Sequence, residues 1–316
     1  MSRFFSGLRV ATAVVLVPLL ASTPAFGWGS DGHKLINRLA GAALPTDVPE
    51  FLRSPEGLNA LEYYGPEPDR WRSPTEPELN AAQAPEHFID LEWADLIGPL
   101  PKKRYDFVRA LAVAQAAHPD VPLTPEKVGL QPYVTVEVYE RLKSAMREYR
   151  GLKTSAADTK PVEAEIVFLA GWLGHYVGDG SMPLHTTIQY NGWTGPNPNG
   201  YTTEHHIHVL FESVYVAANV KAGDVAPLVA PKATVLTDVF TDYMAYLRHS
   251  NTLVEKTYQL EKAGAFTGAG TPEGKAMVDE RLAAGATELR DMIYTAWVRS
   301  ADPVPEYKPD TPPVKK

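Results

Sequence analysis

Two pairs of residues, His175 with Asp179 and His208 with Glu212, each place an imidazole and a carboxylate one helical turn apart, and His185 follows the first pair closely. His33, Asp69 and His87 lie upstream and offer the same two donor types. Imidazole nitrogen and carboxylate oxygen both bind zinc at about 2.0 to 2.2 Å. A set this rich suits several cations held close together. The chemistry such a cluster serves best is attack of an activated water on a phosphate ester.

A lone His/Asp pair at this spacing is ordinarily a surface hydrogen bond. Here Ile166, Val167, Leu169, Ala170, Trp172, Leu173 and Val177 make the surrounding stretch the most apolar of the chain after its first 27 residues. Charged groups are seldom buried without a partner, so His175 and Asp179 call for a cation. His208 and Glu212 repeat the arrangement among Ile207, Val209, Leu210 and Phe211. Facing helices that project such pairs inward are a known way to hold metals inside a bundle. His205 and His206 remain open as substitutes for His208, although only His208 has a carboxylate four residues later.

The elements that must position these groups read as helices. Helical periodicity predicts runs over Lys102 to His118, Val134 to Arg150, Val162 to Val177, Glu204 to Val220, Leu236 to Ala263 and Pro272 to Ser300. Thr203 and Thr271 are the expected starts of the fourth and last runs. Proline-rich stretches from Gly65 to Pro85 and from Gly192 to Gly200 read as loops. Pro303 to Lys316 reads as a disordered polar tail. Strand signals are few and no internal repeat is present. The class expected is mainly α, a single-domain helical bundle with long loops over residues 28–302.

Residues 1–27 carry Arg3 and Arg9, an apolar run from Val10 to Ala21 and then Ala25-Phe26-Gly27, the pattern of a cleavable secretory signal. Cleavage after Gly27 would make Trp28 the first residue of an exported protein, periplasmic or secreted. Of 30 basic residues two are then lost, leaving 28 against 38 acidic ones and a net charge of −10. That balance opposes tight, sequence-independent wrapping of a nucleic-acid backbone. It leaves strand cutting open, because clustered divalent cations supply a local positive field. With no cysteine in the chain, disulfide staples, thiolate catalysis and thiolate metal ligation are all excluded.

Five blocks carry a resemblance: Trp28-Gly-Ser-Asp-Gly-His33, Asp69-Arg-Trp-Arg72, His87-Phe-Ile-Asp90, His175-Tyr-Val-Gly-Asp179-Gly-Ser-Met-Pro-Leu-His185 and His208-Val-Leu-Phe-Glu212. In order and spacing they resemble the trinuclear zinc nucleases called S-one/P-one nucleases, to which the bacterial zinc-dependent phospholipases C are related. The resemblance implies a helical fold of that type and three zinc ions. It gives one ion to Trp28 (through its amino group and carbonyl), His33 and Asp179, a second to Asp69, His87, His175 and the shared Asp179, and a third to His185, His208 and Glu212. It also implies that Asp69 orients the attacking water, that Arg72 neutralises charge on the phosphoryl group, and that Phe88 and Asp90 grip a base.

The activity implied is hydrolysis of single-stranded DNA or RNA, with 3′-nucleotides as further candidates. Two features depart from the nuclease pattern. Glu212 stands where those enzymes usually have aspartate and the phospholipase branch has glutamate, and the 22 residues between His185 and His208 lack a Gly-Gly-Asn segment. A phospholipase C acting on phospholipid head groups is therefore the first alternative. A noncatalytic helical protein with a structural metal site is the second. Structural zinc sites are normally closed by four protein ligands, whereas the third site here offers three. No protein partner is indicated.

Overall fold

A helix from Lys160 to Ser181 forms the axis around which the rest is assembled. It is apolar on nearly every side, so it can be covered from all directions, and it is covered by the helices Gln131–Thr154, Pro272–Arg299, Ser30–Ala42 and Pro55–Tyr64. The computed structural model describes residues 28–305. The expected signal segment, and all of the expected tail beyond its first three residues, lie outside the described residues. Among the described residues there is no strand, only two isolated bridges, Ile89 with Gly129 and Tyr190 with Gly192. The fold is mainly α and has one continuous core. No helix among the described residues is long and apolar enough to cross a membrane.

The axial helix ends inside the protein, which would strand its last carbonyls without water. Side chains from other elements meet them. Ser250 Oγ donates to Gly180 O at 2.6 Å, Tyr246 Oη to Val177 O at 2.8 Å, and Tyr243 Oη to Tyr176 O at 2.9 Å. Gln131 Nε2 also donates to Tyr176 O. Each such bond contributes about 1 kcal/mol net, and leaving one unmade in the core costs more. On the opposite side, buried Asn37 ties three helices by donating to Leu61 O and Gly171 O, both at 2.9 Å.

Several sequence expectations hold and several need correction. The last helix starts as expected: Thr271 accepts a hydrogen bond from Gly274 N and Pro272 takes the first helical position, giving Pro272–Arg299. The axial helix runs past Val177 to Ser181, which keeps Asp179 helical. The stretch from Leu236 to Ala263 is two helices, Val239–Asn251 and Val254–Lys262. The break falls where Ser250, Asn251 and Thr252 use their short polar side chains to bond carbonyls at Gly180, Thr186 and His249. Thr203 does not start a helix. Residues 202–206 instead run beside the turn at Trp193, whose N–H bonds Thr202 O, and helix begins at Ile207.

The Gly65 to Pro85 stretch is not simply a loop, since it contains the helices Glu67–Trp71 and Pro77–Gln83 and a 3₁₀ turn, Ala84–His87. Pro68, Pro77 and Pro85 occupy the first turns of these elements, where a missing N–H costs nothing.

Candidate metal centre

The axial helix supplies His175 and Asp179 from its last turns, both fully buried. The Ser30–Ala42 helix packs alongside and brings in His33, whose ring stacks on His175 with centroids 3.9 Å apart. Close approach is possible because residue 178 is glycine; a Cβ there would lie 2.9 Å from His33 Nδ1. Asp69 comes from the short Glu67–Trp71 helix, His87 from the 3₁₀ turn before Phe88, and His185 from the turn after the axial helix. His208 sits at the start of residues 207–219. Glu212 follows on a one-turn π-helical segment, Leu210–Val214, a distortion often found at functional sites.

These side chains converge into three groups: His33 with Asp69 and His175; His87 with His175 and Asp179; and His185 with His208 and Glu212. The third group coincides with the trio expected from sequence. The other two divide the donors differently from expectation: Asp69 and His175 group with His33, and Asp179 groups with His87 and His175, although His33 Nε2 also lies 3.4 Å from Asp179 Oδ1. Across the centre the other donor pairs span 3.0 to 3.9 Å, from His208 Nε2–Glu212 Oε2 at 3.0 Å through His175 Nε2–Asp179 Oδ2 at 3.4 Å to His185 Nδ1–Asp179 Oδ1 at 3.9 Å. Two ligands about 2.0 to 2.2 Å from one tetrahedral ion lie roughly 3.3 to 3.6 Å apart, the middle of that range.

Hydrogen bonding fixes which ring nitrogen faces the centre. His175 Nδ1 lies 2.9 Å from Gly65 O, His185 Nδ1 2.6 Å from His87 O and His208 Nδ1 3.0 Å from Tyr190 O. A carbonyl only accepts, so each Nδ1 carries hydrogen and each ring turns its Nε2 inward, as metal-binding histidines are usually oriented. Several atoms there are enclosed and have no hydrogen-bond partner: both ring nitrogens of His33, Nε2 of His87 and His185, Oδ1 of Asp69 and Asp179, and both carboxylate oxygens of Glu212. Orphaned acceptors buried together are expensive, and cations are the simplest group that satisfies them all. The donor set therefore fits a multinuclear metal site.

The electrostatics agree. Burial opposes ionisation of Asp179, but His185, His175, His33 and His87 outweigh it and hold the carboxyl well below its usual range. Burial also disfavours a charged His185, yet Asp179 and Glu212 push its pKa up to about 9. Burial holds His87 down to about 4, and burial followed by the charge of Asp179 pushes Asp69 well up. Arg72 caps the short Asp69 helix and its charge acts on both Asp69 and His87.

Trp28 is fully buried. Its indole Nε1 donates to Ser181 Oγ at 2.6 Å, its ring packs on Phe211, and its carbonyl accepts from His33 N at 3.3 Å. Phe88 is half-buried, and Asp90 is buried with its pKa pushed up to about 8 by burial and by Glu92. His205 and His206 are exposed, with His206 facing Glu261, and neither belongs to the three groups. Sequence reasoning missed the residues that aim the ligands: Gly65 and Tyr190 through their carbonyls, and Glu92, which accepts from Thr187 Oγ1 and Ile188 N and so pins the chain just after His185. Carbonyl acceptors carry no sequence signal.

Two solved structures resemble this chain. The alpha toxin from Clostridium absonum matches with a TM-score of 0.38 and 14% identity, covering 88% of this chain and 67% of its own. The Clostridium perfringens alpha-toxin isolated from avian strain SWCP matches with a TM-score of 0.35 and 13% identity, covering 85% of this chain and 64% of its own. The chain thus spans about two thirds of the length of either toxin. At these values neither bears on the chemistry of the site. No protein-family model and no curated protein matches the sequence.

Proposed function

We propose that the protein is an exported zinc-dependent phosphodiesterase of the S-one/P-one nuclease type, hydrolysing single-stranded DNA or RNA and, as further candidates, 3′-nucleotides. The observation that carries this reading is the convergence of three buried His/carboxylate groups, several of whose enclosed atoms have no hydrogen-bond partner. His33, Asp69, His87, His175, Asp179, His185, His208 and Glu212 would hold three zinc ions, with the Trp28 amino group and carbonyl completing the first after signal cleavage. Zinc, when bound, supplies Lewis acidity and brings the pKa of water to roughly 7.

The chain's own groups do the rest. Asp69 accepts a hydrogen bond from the attacking water and orients it toward phosphorus. Arg72 offers a planar fork of donors to the phosphoryl oxygens and offsets the charge that grows there. Phe88 presents a ring face to a base. Asp90, whose pKa burial raises, offers its carboxyl group as a hydrogen-bonding partner to a base edge.

Glu212 favours one second reading, a zinc-dependent phospholipase C, because glutamate at this place is the phospholipase habit. A panel of single-stranded DNA, RNA, 3′-nucleotides and phosphatidylcholine micelles decides between them. Preferred cleavage of the strands supports the nuclease, and preferred cleavage of the lipid overturns it while leaving the metal chemistry in place.

A further inference from the structure

We infer that Tyr190 is a stacking platform for a nucleobase beside the His185, His208 and Glu212 group, a subsite additional to Phe88; the inference rests on the nuclease reading. Tyr190 is one of the few large aromatic side chains left open, 52% exposed. Its ring nevertheless stands at 79° to that of His208, with centroids 6.3 Å apart, and its own carbonyl holds His208 Nδ1. One residue therefore joins the buried group to solvent.

The turn that displays it is rigid. Glu92 clamps Thr187 and Ile188 ahead of it. Tyr258 Oη donates to Gln189 O at 2.6 Å and accepts from Gly192 N at 2.9 Å, fastening both sides of Tyr190 to another helix. Gln189 is further bound to Thr194 through both its amide atoms. Gly192 sits at φ +107°, and a Cβ there would lie 2.7 Å from Thr203 O, so the tight return of the chain depends on glycine. An exposed aromatic ring held this firmly loses little conformational freedom when a flat partner settles on it.

A base fits better than a quaternary ammonium head group. Recognition of such a cation uses a cage of several rings. Trp193, the next aromatic along the chain, packs instead on Tyr201 and Tyr258 and donates its indole N–H to Pro196 O. Stacking of a base needs one face, and contributes roughly a 5- to 150-fold gain in affinity per base.

The test uses the zinc-loaded enzyme and a single-stranded phosphorothioate oligothymidylate, with and without an abasic residue at each position in turn. Tyr190→Ala should raise the Kd of the intact strand about tenfold, leave an abasic strand unaffected at one position, raise KM without changing kcat on the cleavable strand, and keep the metal content of the wild type. Tyr190→Phe should restore binding. An unchanged Kd, an equal loss at every abasic position, or weakened binding of phosphatidylcholine micelles in place of the strand would each overturn the inference. If the wild-type enzyme neither binds nor cuts the strand, the nuclease reading fails first and this one with it.

Discussion

His87 Nδ1 faces His175 Nε2 across 3.0 Å of buried space, while His175 Nδ1 is already engaged by Gly65 O. In neutral His175 the inward Nε2 is a lone pair, and Asp179 Oδ2 lies 3.4 Å from it and 3.1 Å from His87 Nδ1. Beside them Oδ1 of Asp69 and of Asp179 and both oxygens of Glu212 are enclosed without hydrogen-bond partners, which costs folding free energy unless something positive lies among them. Removal of metal should therefore unfold the protein more easily. At a metal concentration 1,000 times Kd the stabilisation is about 4 kcal/mol, so chelation should lower Tm by about 10 °C, using the usual 2–4 °C per kcal/mol for a chain of this size. Differential scanning fluorimetry with and without chelator measures it.

Asp179 is within reach of His33, His87, His175 and, more distantly, His185. Asp179→Asn keeps the shape and removes the charge that several donors share. We expect turnover to fall by at least about 10³-fold and more than one metal equivalent to be lost by elemental analysis. Full metal content with normal turnover would remove Asp179 from the centre.

Gly178 tests the packing that brings His33 in. In Gly178→Ala the new methyl meets His33 Nδ1 at 2.9 Å and Ile36 Cδ1 at 3.2 Å. The variant should be destabilised by about 1–3 kcal/mol in urea and lose roughly 10- to 100-fold in activity as His33 is displaced. Gly151→Ala, where nothing lies within 4 Å, should instead stabilise the Gln131–Thr154 helix by about 0.5–1 kcal/mol and leave activity alone.

Glu288 gives a pH signature independent of the metal centre. Burial, followed by the charges of Asp291 and Asp242, pushes its pKa from 4.5 up to about 8. Between those values the folded state binds the proton more tightly than the unfolded chain. Stability from this group is therefore full below about pH 4.5 and is lost as pH rises toward 8. Because the side chain keeps some solvent contact, the loss should be roughly 2 kcal/mol. Glu288→Gln should gain that amount relative to wild type between pH 5 and pH 8, measured by denaturation at each pH.

The axial helix and its pair His175/Asp179 were legible because a helix that is apolar all round must be central, and charged groups on it need a reason. His208 and Glu212 were legible by the same spacing, although the π turn between them was not, since nothing in Leu210–Val214 departs from ordinary helical composition. Proline misled at Gly65 to Pro85, where it opens helices as readily as it breaks them. Least legible was the segment from Ala230 to Thr237, strapped to the last helix by buried Arg290, which donates to Ala230 O and Lys232 O, and by Arg299, which donates to Leu236 O and Thr237 O. Thr287, Asp291 and Thr295 accept from the strap's N–H groups. These partners lie some sixty residues apart and half of each bond is backbone, so only the folded chain reveals them.

The three buried groups are expected to bind metal together. Native mass spectrometry of the protein purified without chelator, with elemental analysis of the same sample, addresses it most directly. Three zinc ions per chain are predicted. A protein that is folded and active with one ion or none would contradict it.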